Sequence, residues 1–576
     1  MTFLDSLSPQ ARALVEQNLE TRHFREGDCI IKQGTPGDGC YLIDEGRVRI
    51  EFDTGEIDTE VVLSYLEPGA VLGEFTLVDR APRSANAYAH TDVVTRWLST
   101  QQFQALCDQD PAIGVMLLTG FCQNLAQMVR HYNARVADFA PADRHSQMVD
   151  DMVARSVAAQ KAFESWPEVR VDALLQDVAQ TVAGRAEELA TVCVQETGLG
   201  VAADKVLKIR FASLEVCKLL VGQPASGLLS GDERSQVMEF ASPVGVILGL
   251  IPVTNPVSTM VFKTLICLKA RNSLILSCHR DALGVGNQTG EIIQAVLQKH
   301  GAPVDLVQWI REHTSHRLTD IFMRHENVSF ILATGGPSMV RAAYSSGTPA
   351  IGVGSGNAPV LVCRDADLEA VARMVVQSKS FDNGIICGSE NNLVVDATAR
   401  EEFIAALKTQ GVAILTPDEV DRFATQVFDP ETGHPRRDMI GQAAHRIAQR
   451  VGIQRDYPIQ LIVTPVGEDR VQGPYGREKL APILSLFTVH DEAEGFALCK
   501  RILDGEGIGH TAVIHTRDES LAKRFGLEMP VSRVLVNAPA AQGCIGFGTG
   551  LIPSFTLGCG TWGGTSTTDN VRTGTC

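Results

Sequence analysis

The stretch "VSFILATGGPSMVRAAY", Val328 to Tyr344, changes character halfway along. It opens on a short apolar run, turns at Gly335-Gly336, and continues from Pro337 as a helical pattern. Proline suits the first helical position, where its missing N–H would have had no partner anyway. The free N–H groups of such a first turn make a seat for a pyrophosphate. The spacing is not GxGxxG, and a Gly-Gly before a helix is often only a tight turn. The unit recurs on both sides. "VGVILGLIP" (Val244–Pro252), "SLILSC" (Ser273–Cys278) and "PAIGVG" (Pro349–Gly354) are further short apolar runs, with helical patterns between them. Buried strands alternating with helices imply a parallel sheet covered on both faces, hence an α/β fold. Upstream, "VDALLQDVAQTVAGRAEELATVCVQET" (Val171–Thr197) reads as one long amphipathic helix.

Before about residue 140 the pattern is different. "DCIIKQG", "GCYLIDEG", "RVRIEFD", "EVVLSYLEPG" and "DVVTRWLS" are short β-type runs closed by Gly, Pro or Asp. This spacing predicts a small antiparallel β-roll or jelly roll. A helical run follows from Pro111 to Val136, with Val115, Leu118, Phe121, Leu125 and Met128 near the helical period. The polar stretch after it reads as a linker. Two unrelated modules therefore share 576 residues, a length too great for one core.

Composition excludes some classes. A net charge of −17 argues against a nucleic-acid binder. The N-terminus lacks a basic segment followed by an apolar run, so no secretory signal is expected. The most apolar stretch, "SPVGVILGLIPV", is too short and too broken to span a bilayer. The 14 cysteines show no metal-ligand spacing, which predicts reduced thiols in a cytoplasm and no metal site.

In the first module, "GAVLGEFTLVDRAPRSANAYA" (Gly69–Ala89) places an acid, Glu74, beside a glycine, and Ser84 beside Arg83. A guanidinium and free N–H groups clamp one phosphate, and a carboxylate accepts from a ribose hydroxyl. The segment resembles the phosphate-binding cassette of cyclic-nucleotide-binding domains, with the resemblance running from about Leu4 to Val136. It implies that Glu74 binds the ribose, that Arg83 binds the cyclic phosphate of cAMP or cGMP with Ser84 and the Ala85 backbone, and that Gly73 allows close approach. A degenerate, ligand-free domain is the other reading.

From about Gln147 onward the chain resembles the aldehyde dehydrogenase superfamily, nearest to its CoA-acylating acetaldehyde dehydrogenases. The stretches that carry this include "IPVTNPVSTMVFKTLICLKARNSLI", "ATGGPSMVRAAYSSGTPAIGVGSGNAPV", "FDNGIICGSE", "REKLAPIL", "GIGHTAVIH" and "SFTLGCGTWGGTSTTDNV". The resemblance implies a Rossmann-like NAD domain followed by a second α/β catalytic domain, and an assembly of at least a dimer. The expected segments are a regulatory domain at 1–138, a linker at 139–146, an NAD-binding domain at 147–378, a catalytic domain at 379–530 and a completing segment at 531–576.

The same resemblance implies the site. Cys387 is the nucleophile that forms a thiohemiacetal with the aldehyde. Asn255 donates to the oxyanion. Gly335, Gly336, Pro252, Thr254 and Glu478 contact NAD, with Glu478 on the nicotinamide ribose. Cys267, Cys278 and Cys559 are expected to be structural. Hydrolytic relatives deacylate with a glutamate in the segment that corresponds to "IGVGSGNAPV" (Ile351–Val360), whereas no carboxylate occurs here between Ser345 and Arg364. Without that base water is a poor nucleophile, while the more acidic thiol of CoA needs less help. His510 is a candidate base for one of the thiols, or else a packed histidine at a strand end. The expected reaction is aldehyde, CoA and NAD⁺ to acyl-CoA and NADH. The rivals are a hydrolytic enzyme, sulfoacetaldehyde as substrate, and an inactive cyclic-nucleotide-responsive scaffold.

Overall fold

Short strands closed by turn residues build the first of two compact units, Met1–Arg144 and His145–Cys576. The computed structural model describes residues 9–53, 60–74, 76–77, 81–122, 142–232, 236–311 and 315–575. In the first unit the strands are β1 (Glu20–Phe24), β2 (Cys29–Ile31), β3 (Gly39–Glu45), β4 (Val48–Asp53), β5 (Glu60–Leu66), β6 (Val71–Leu72), β7 (Asn86–Ala89) and β8 (Val93–Ser99). They form two antiparallel sheets, in the orders β1-β8-β3-β6 and β2-β7-β4-β5. All five β-type runs of the sequence are strands here.

Residues 111–122 are helical, and the rest of the run expected to Val136, with most of the linker, lies outside the described residues. Its core-facing row also differs from expectation. Ile113, Leu117 and Phe121 are buried, whereas Val115 and Leu118 are exposed. The i, i+4 row Ile113, Leu117 and Phe121 meets the core, and of the expected residues that are described only Phe121 lies on it.

The second unit holds an antiparallel hairpin, β9 (Gly227–Asp232) and β10 (Val237–Ala241), and two parallel sheets. The first sheet comprises β11 (Val246–Ile251), β12 (Ser273–Cys278), β13 (Val307–Trp309), β14 (Val328–Ala333) and β15 (Ala350–Gly352), in the order β13-β12-β11-β14-β15. The second comprises β16 (Ala358–Val362), β17 (Glu390–Asp396), β18 (Val412–Ile414), β19 (Leu461–Pro465), β20 (Ile483–Val489), β21 (Gly509–His515) and β22 (Val531–Val536). Its order is β18-β19-β20-β17-β16-β21-β22. The change of sheet falls between Gly352 and Ala358, upstream of residue 378, and Val531–Val536 forms an edge strand of the larger sheet.

The expected long helix is two helices, Glu168–Gly184 and Ala186–Thr197. Arg185 leaves helical geometry at φ −105, ψ 11 and pairs with Glu188 one turn on. Gly184 precedes the break, and glycine loses more backbone freedom in a helix than other residues do. Every residue of the helix Pro256–Lys269 is buried, including Lys263. Lys263 Nζ donates to the carbonyls of Leu250 at 2.6 Å and Leu332 at 2.7 Å, which ties together the C-terminal ends of β11 and β14. A buried ammonium needs such acceptors.

Candidate active site

Cys387 lies on the loop between the helix Leu368–Ser380 and β17, and it is half-buried. Three consecutive residues before it are left-handed: Asp382 at φ 48, Asn383 at φ 54 and Gly384 at φ 74. Only Gly enters that region freely, and Asn and Asp enter it with local help. That help is dense here. Asp382 Oδ1 accepts from the Val201 N–H at 2.6 Å, and Oδ2 accepts from Lys205 Nζ at 3.0 Å and from Lys208 Nζ. The Asp382 N–H donates to Asp204 Oδ2 at 2.7 Å, and Asn383 Nδ2 donates to the Gly441 carbonyl at 2.7 Å. Beyond the nucleophile, Glu390 is fully enclosed and accepts from Ser378 Oγ and the Ala540 N–H. The loop is therefore pinned on both sides of Cys387.

Glycines let neighbouring segments close on the cysteine. A Cβ on Gly356 would stand 1.4 Å from the Cys387 carbonyl oxygen, so "VGSGN" packs directly against the nucleophile loop. A Cβ on Gly388 would meet Cys544 Sγ at 2.2 Å and His510 Cε1 at 3.5 Å. Burial pushes the Cys387 thiol up to about 12, and the Glu478 carboxyl and the Cys559 thiol add to that; the Arg533 cation and the Gly388 N–H oppose it. Cys267, Cys278 and Cys559 are all buried. Cys559 is nearer the site than a purely structural cysteine would be, since its sulfur would lie 3.3 Å from a Cβ on Gly354.

His510, on β21, is fully buried beside this loop. Its Nδ1 lies 2.9 Å from Thr511 Oγ1, and its buried Nε2 has no hydrogen-bond partner among the described residues. Burial and then the Arg533 cation hold its pKa well below the usual histidine range, so the ring is neutral. Asn255 stands at the N-cap position of the helix Pro256–Lys269, but its side chain makes no capping hydrogen bond there. Its Nδ2 donates to the Ile385 carbonyl at 3.4 Å and to Thr254 Oγ1 at 3.3 Å, and its Oδ1 accepts from Lys208 Nζ. The structure thus brings Cys387, Asn255 and His510 to one loop.

The expected cofactor residues divide into two places. Pro252 and Thr254 follow β11, and Gly335 and Gly336 follow its neighbour β14. Both loops lie at carboxyl ends of adjacent parallel strands, where ligands of α/β sheets sit. Gly336 is the exposed N-cap of the helix Pro337–Ser345, and no side chain caps that turn. A Cβ on Gly336 would meet nothing within 4 Å, so the turn is open to an anion. Glu478 is half-buried, and its Oε1 has no hydrogen-bond partner among the described residues. Burial and then Glu506 raise its pKa well above the usual carboxyl range, against Lys379 and Lys479. A carboxyl oxygen left open in this way suits a sugar hydroxyl.

Sequence reading missed Lys205, Lys208 and Arg533. The signal for the lysines was present as "DKVLKIR" (Asp204–Arg210), whose i, i+3 spacing puts both ammoniums on one helix face. Arg533 is buried on β22 and donates to the carbonyls of Gly558 and Thr568. Nothing local marks it.

In the first unit Arg83 is buried rather than solvated. Nη1 donates to the Gly73 carbonyl at 2.8 Å and to Thr76 Oγ1 at 2.9 Å; Nη2 donates to the Gly39 carbonyl at 2.7 Å and to Asp38 Oδ1 at 3.1 Å. Glu74 is buried, Gly73 and Ala85 are half-buried, and Ser84 is exposed. Gly73 has φ +84, and a Cβ there would meet Arg83 Nη1 at 2.3 Å, so glycine is required twice over. A cleft of about 830 Å³ lies beside the arginine's partners, lined by Gly37, Asp38, Thr76, Pro82 and Trp97 among others. Among the described residues no group of three or more His, Cys, Asp or Glu is placed to hold a metal, and no helix is long and apolar enough to cross a membrane.

Residues 128–550 match the aldehyde dehydrogenase family, and the chain belongs to it. Residues 21–110 match the cyclic nucleotide-binding domain. Within the family, the similarity runs to CoA-acylating enzymes. The bifunctional aldehyde-alcohol dehydrogenase of Escherichia coli is 37% identical over 425 residues, covering 73% of this chain and 47% of that protein. The chain thus spans about half the length of that curated relative. An acetylating aldehyde dehydrogenase from Geobacillus thermoglucosidasius is 37% identical with a TM-score of 0.72, over 75% of this chain and 95% of that one. A propionaldehyde dehydrogenase from Rhodopseudomonas palustris, solved with bound CoA and an acylated cysteine, is 26% identical with a TM-score of 0.67, over 74% and 94% of the two chains.

Proposed function

We propose that the chain is a CoA-acylating aldehyde dehydrogenase that interconverts a short aldehyde, CoA and NAD⁺ with an acyl-CoA and NADH, acetaldehyde being the default substrate. The observation that carries this is the segment facing the nucleophile. By the resemblance, Gly354 and Ser355 stand about where hydrolytic relatives place a general base, and the next residue, Gly356, is too close to the Cys387 carbonyl to be replaced by any side chain.

The chemistry follows from the site. The Cys387 thiol is neutral, so it must lose a proton as its sulfur attacks the aldehyde carbon. His510, neutral with a free Nε2, is the candidate acceptor of that proton. The Asn255 amide supports the oxyanion of the thiohemiacetal. NAD, when bound, takes the hydride; Pro252, Thr254, Gly335, Gly336 and Glu478 would hold it. The thioester left on Cys387 then passes its acyl group to the CoA sulfur; the leaving Cys387 thiolate takes up the proton of the CoA thiol, and the proton held by His510 is released to solvent. The Glu478 carboxyl is near enough for its charge to raise the Cys387 pKa, and burial in turn raises its own pKa above the usual carboxyl range.

Omitting CoA tests the reading. Acyl-CoA formation is expected to require both Cys387 and CoA, and Cys387→Ala is expected to abolish turnover while NAD still binds. Carboxylic acid formed at full rate without CoA would favour the hydrolytic rival.

The first unit is proposed to sense cAMP or cGMP through Arg83, Glu74, Gly73, Ser84 and Ala85. Support comes from the buried Arg83 and Glu74 around one glycine turn. Fusion to the dehydrogenase motivates regulation of turnover. Calorimetric titration with each nucleotide tests binding, which Arg83→Ala is expected to abolish. No heat with either nucleotide would assign the domain to a ligand-free role.

A further inference from the structure

We propose that Lys208 is a positioning residue that fixes the Asn255 side chain with its NH₂ toward the nucleophile loop. This rests on the reading of Asn255 as the oxyanion donor. An asparagine amide has two ends of nearly equal shape, and a half-turn would aim Oδ1 at the developing negative charge. Something must choose between the two. Lys208 Nζ can only donate, so the end it touches must be the oxygen. The Ile385 carbonyl, two residues before Cys387, can only accept, so it selects the same orientation from the other side. Its 3.4 Å contact is long, and Nδ2 is free to leave it for a stronger acceptor.

Lys208 is itself fixed. It is buried on the helix Ala202–Arg210 and pairs with Asp382, which also takes Lys205 Nζ and the Val201 N–H. Asp382 is the first left-handed residue of the turn that leads to Cys387. One aspartate therefore anchors the nucleophile turn and the lysine that orients the oxyanion donor. The arrangement couples two groups, from β11 and from the Cys387 loop, that belong to different sheets.

A double-mutant cycle distinguishes this from a merely structural role. Asn255→Ala is expected to lower kcat by roughly 10²–10³, the usual effect of losing one oxyanion donor. Lys208→Met is expected to lower kcat at least about tenfold, by misorienting that donor. KM for NAD⁺ and the rate of Cys387 alkylation by iodoacetamide should stay within about twofold. The double variant should then be no more than about twofold worse than Asn255→Ala, because Lys205 Nζ and the Val201 N–H still hold Asp382 and what Lys208→Met chiefly removes is the orientation of Asn255. Normal kcat in Lys208→Met beside an impaired Asn255→Ala would overturn this inference alone, as would losses that multiply in the double variant. Normal kcat in Asn255→Ala would overturn the oxyanion reading and this inference with it. If Lys208→Met does not fold, Lys208→Gln carries the same cycle: it keeps a donor without the charge, and the same non-additivity is expected.

Discussion

Cys387 carries a neutral thiol because burial and the Glu478 carboxyl both raise its pKa, to about 12. A raised thiol pKa means that the thiolate fraction grows with pH. Alkylation of the ligand-free enzyme by iodoacetamide is thus expected to be slow at pH 7 and to climb continuously through pH 10, as followed by mass spectrometry. A plateau between pH 7 and 8 would show that Arg533 and the Gly388 N–H outweigh burial. Gly356→Ala places a methyl where the Cys387 carbonyl lies, and it is expected to abolish turnover or soluble expression. Gly73→Ala presses on Arg83 at a positive φ, so nucleotide affinity should fall in calorimetry. The residue types at these places were legible in the sequence. Their roles came from a resemblance, because neither "ICG" nor "LGE" states what packs against it.

Strands were the most legible elements, since a continuous apolar run between turn residues has few other uses. Helix boundaries were less so. The break at Arg185 interrupts a pattern whose period continues across it, as Leu175, Val182, Ala186 and Leu189 are all buried. A Cβ on Gly184 would meet nothing within 4 Å, and Gly184 is not left-handed. Gly184→Ala is therefore expected to be tolerated or to stabilise by about 0.5–1 kcal/mol in chemical denaturation. The helix Pro417–Val427 begins with a capping box of Thr416 and Glu419, and Arg455 holds Glu419 in a two-pronged pair. That pair lowers the Glu419 pKa to about 2. A depressed carboxyl pKa contributes stability above its unfolded value, near 4.5, which is lost as pH falls toward 2. Arg455→Met should lower the melting temperature at pH 7 and shrink the difference between the two proteins as pH drops through that window.

At the scale of the molecule, two unrelated modules were visible as a change in pattern near residue 140. The hairpin β9–β10 was not anticipated. It exposes Leu228, Leu229, Val237, Met238 and Phe240, more apolar surface than an isolated hairpin keeps in water. A second copy of the chain is the expected cover. Phe240→Asp is expected to reduce the mass seen by light scattering after gel filtration; an unchanged mass would remove the hairpin from the interface.

The sequence alone determined the two classes of fold, the nucleophile candidate and the missing carboxylate opposite it. These are properties of local pattern and residue type, which survive without coordinates. Only the tertiary structure decided what surrounds Cys387. Gly356, His510, Asn255, Lys208 and Arg533 are brought near it from positions more than 100 residues distant, apart from Gly356. Such contacts depend on how two sheets and their crossover helices are stacked, and no spacing along the chain encodes them.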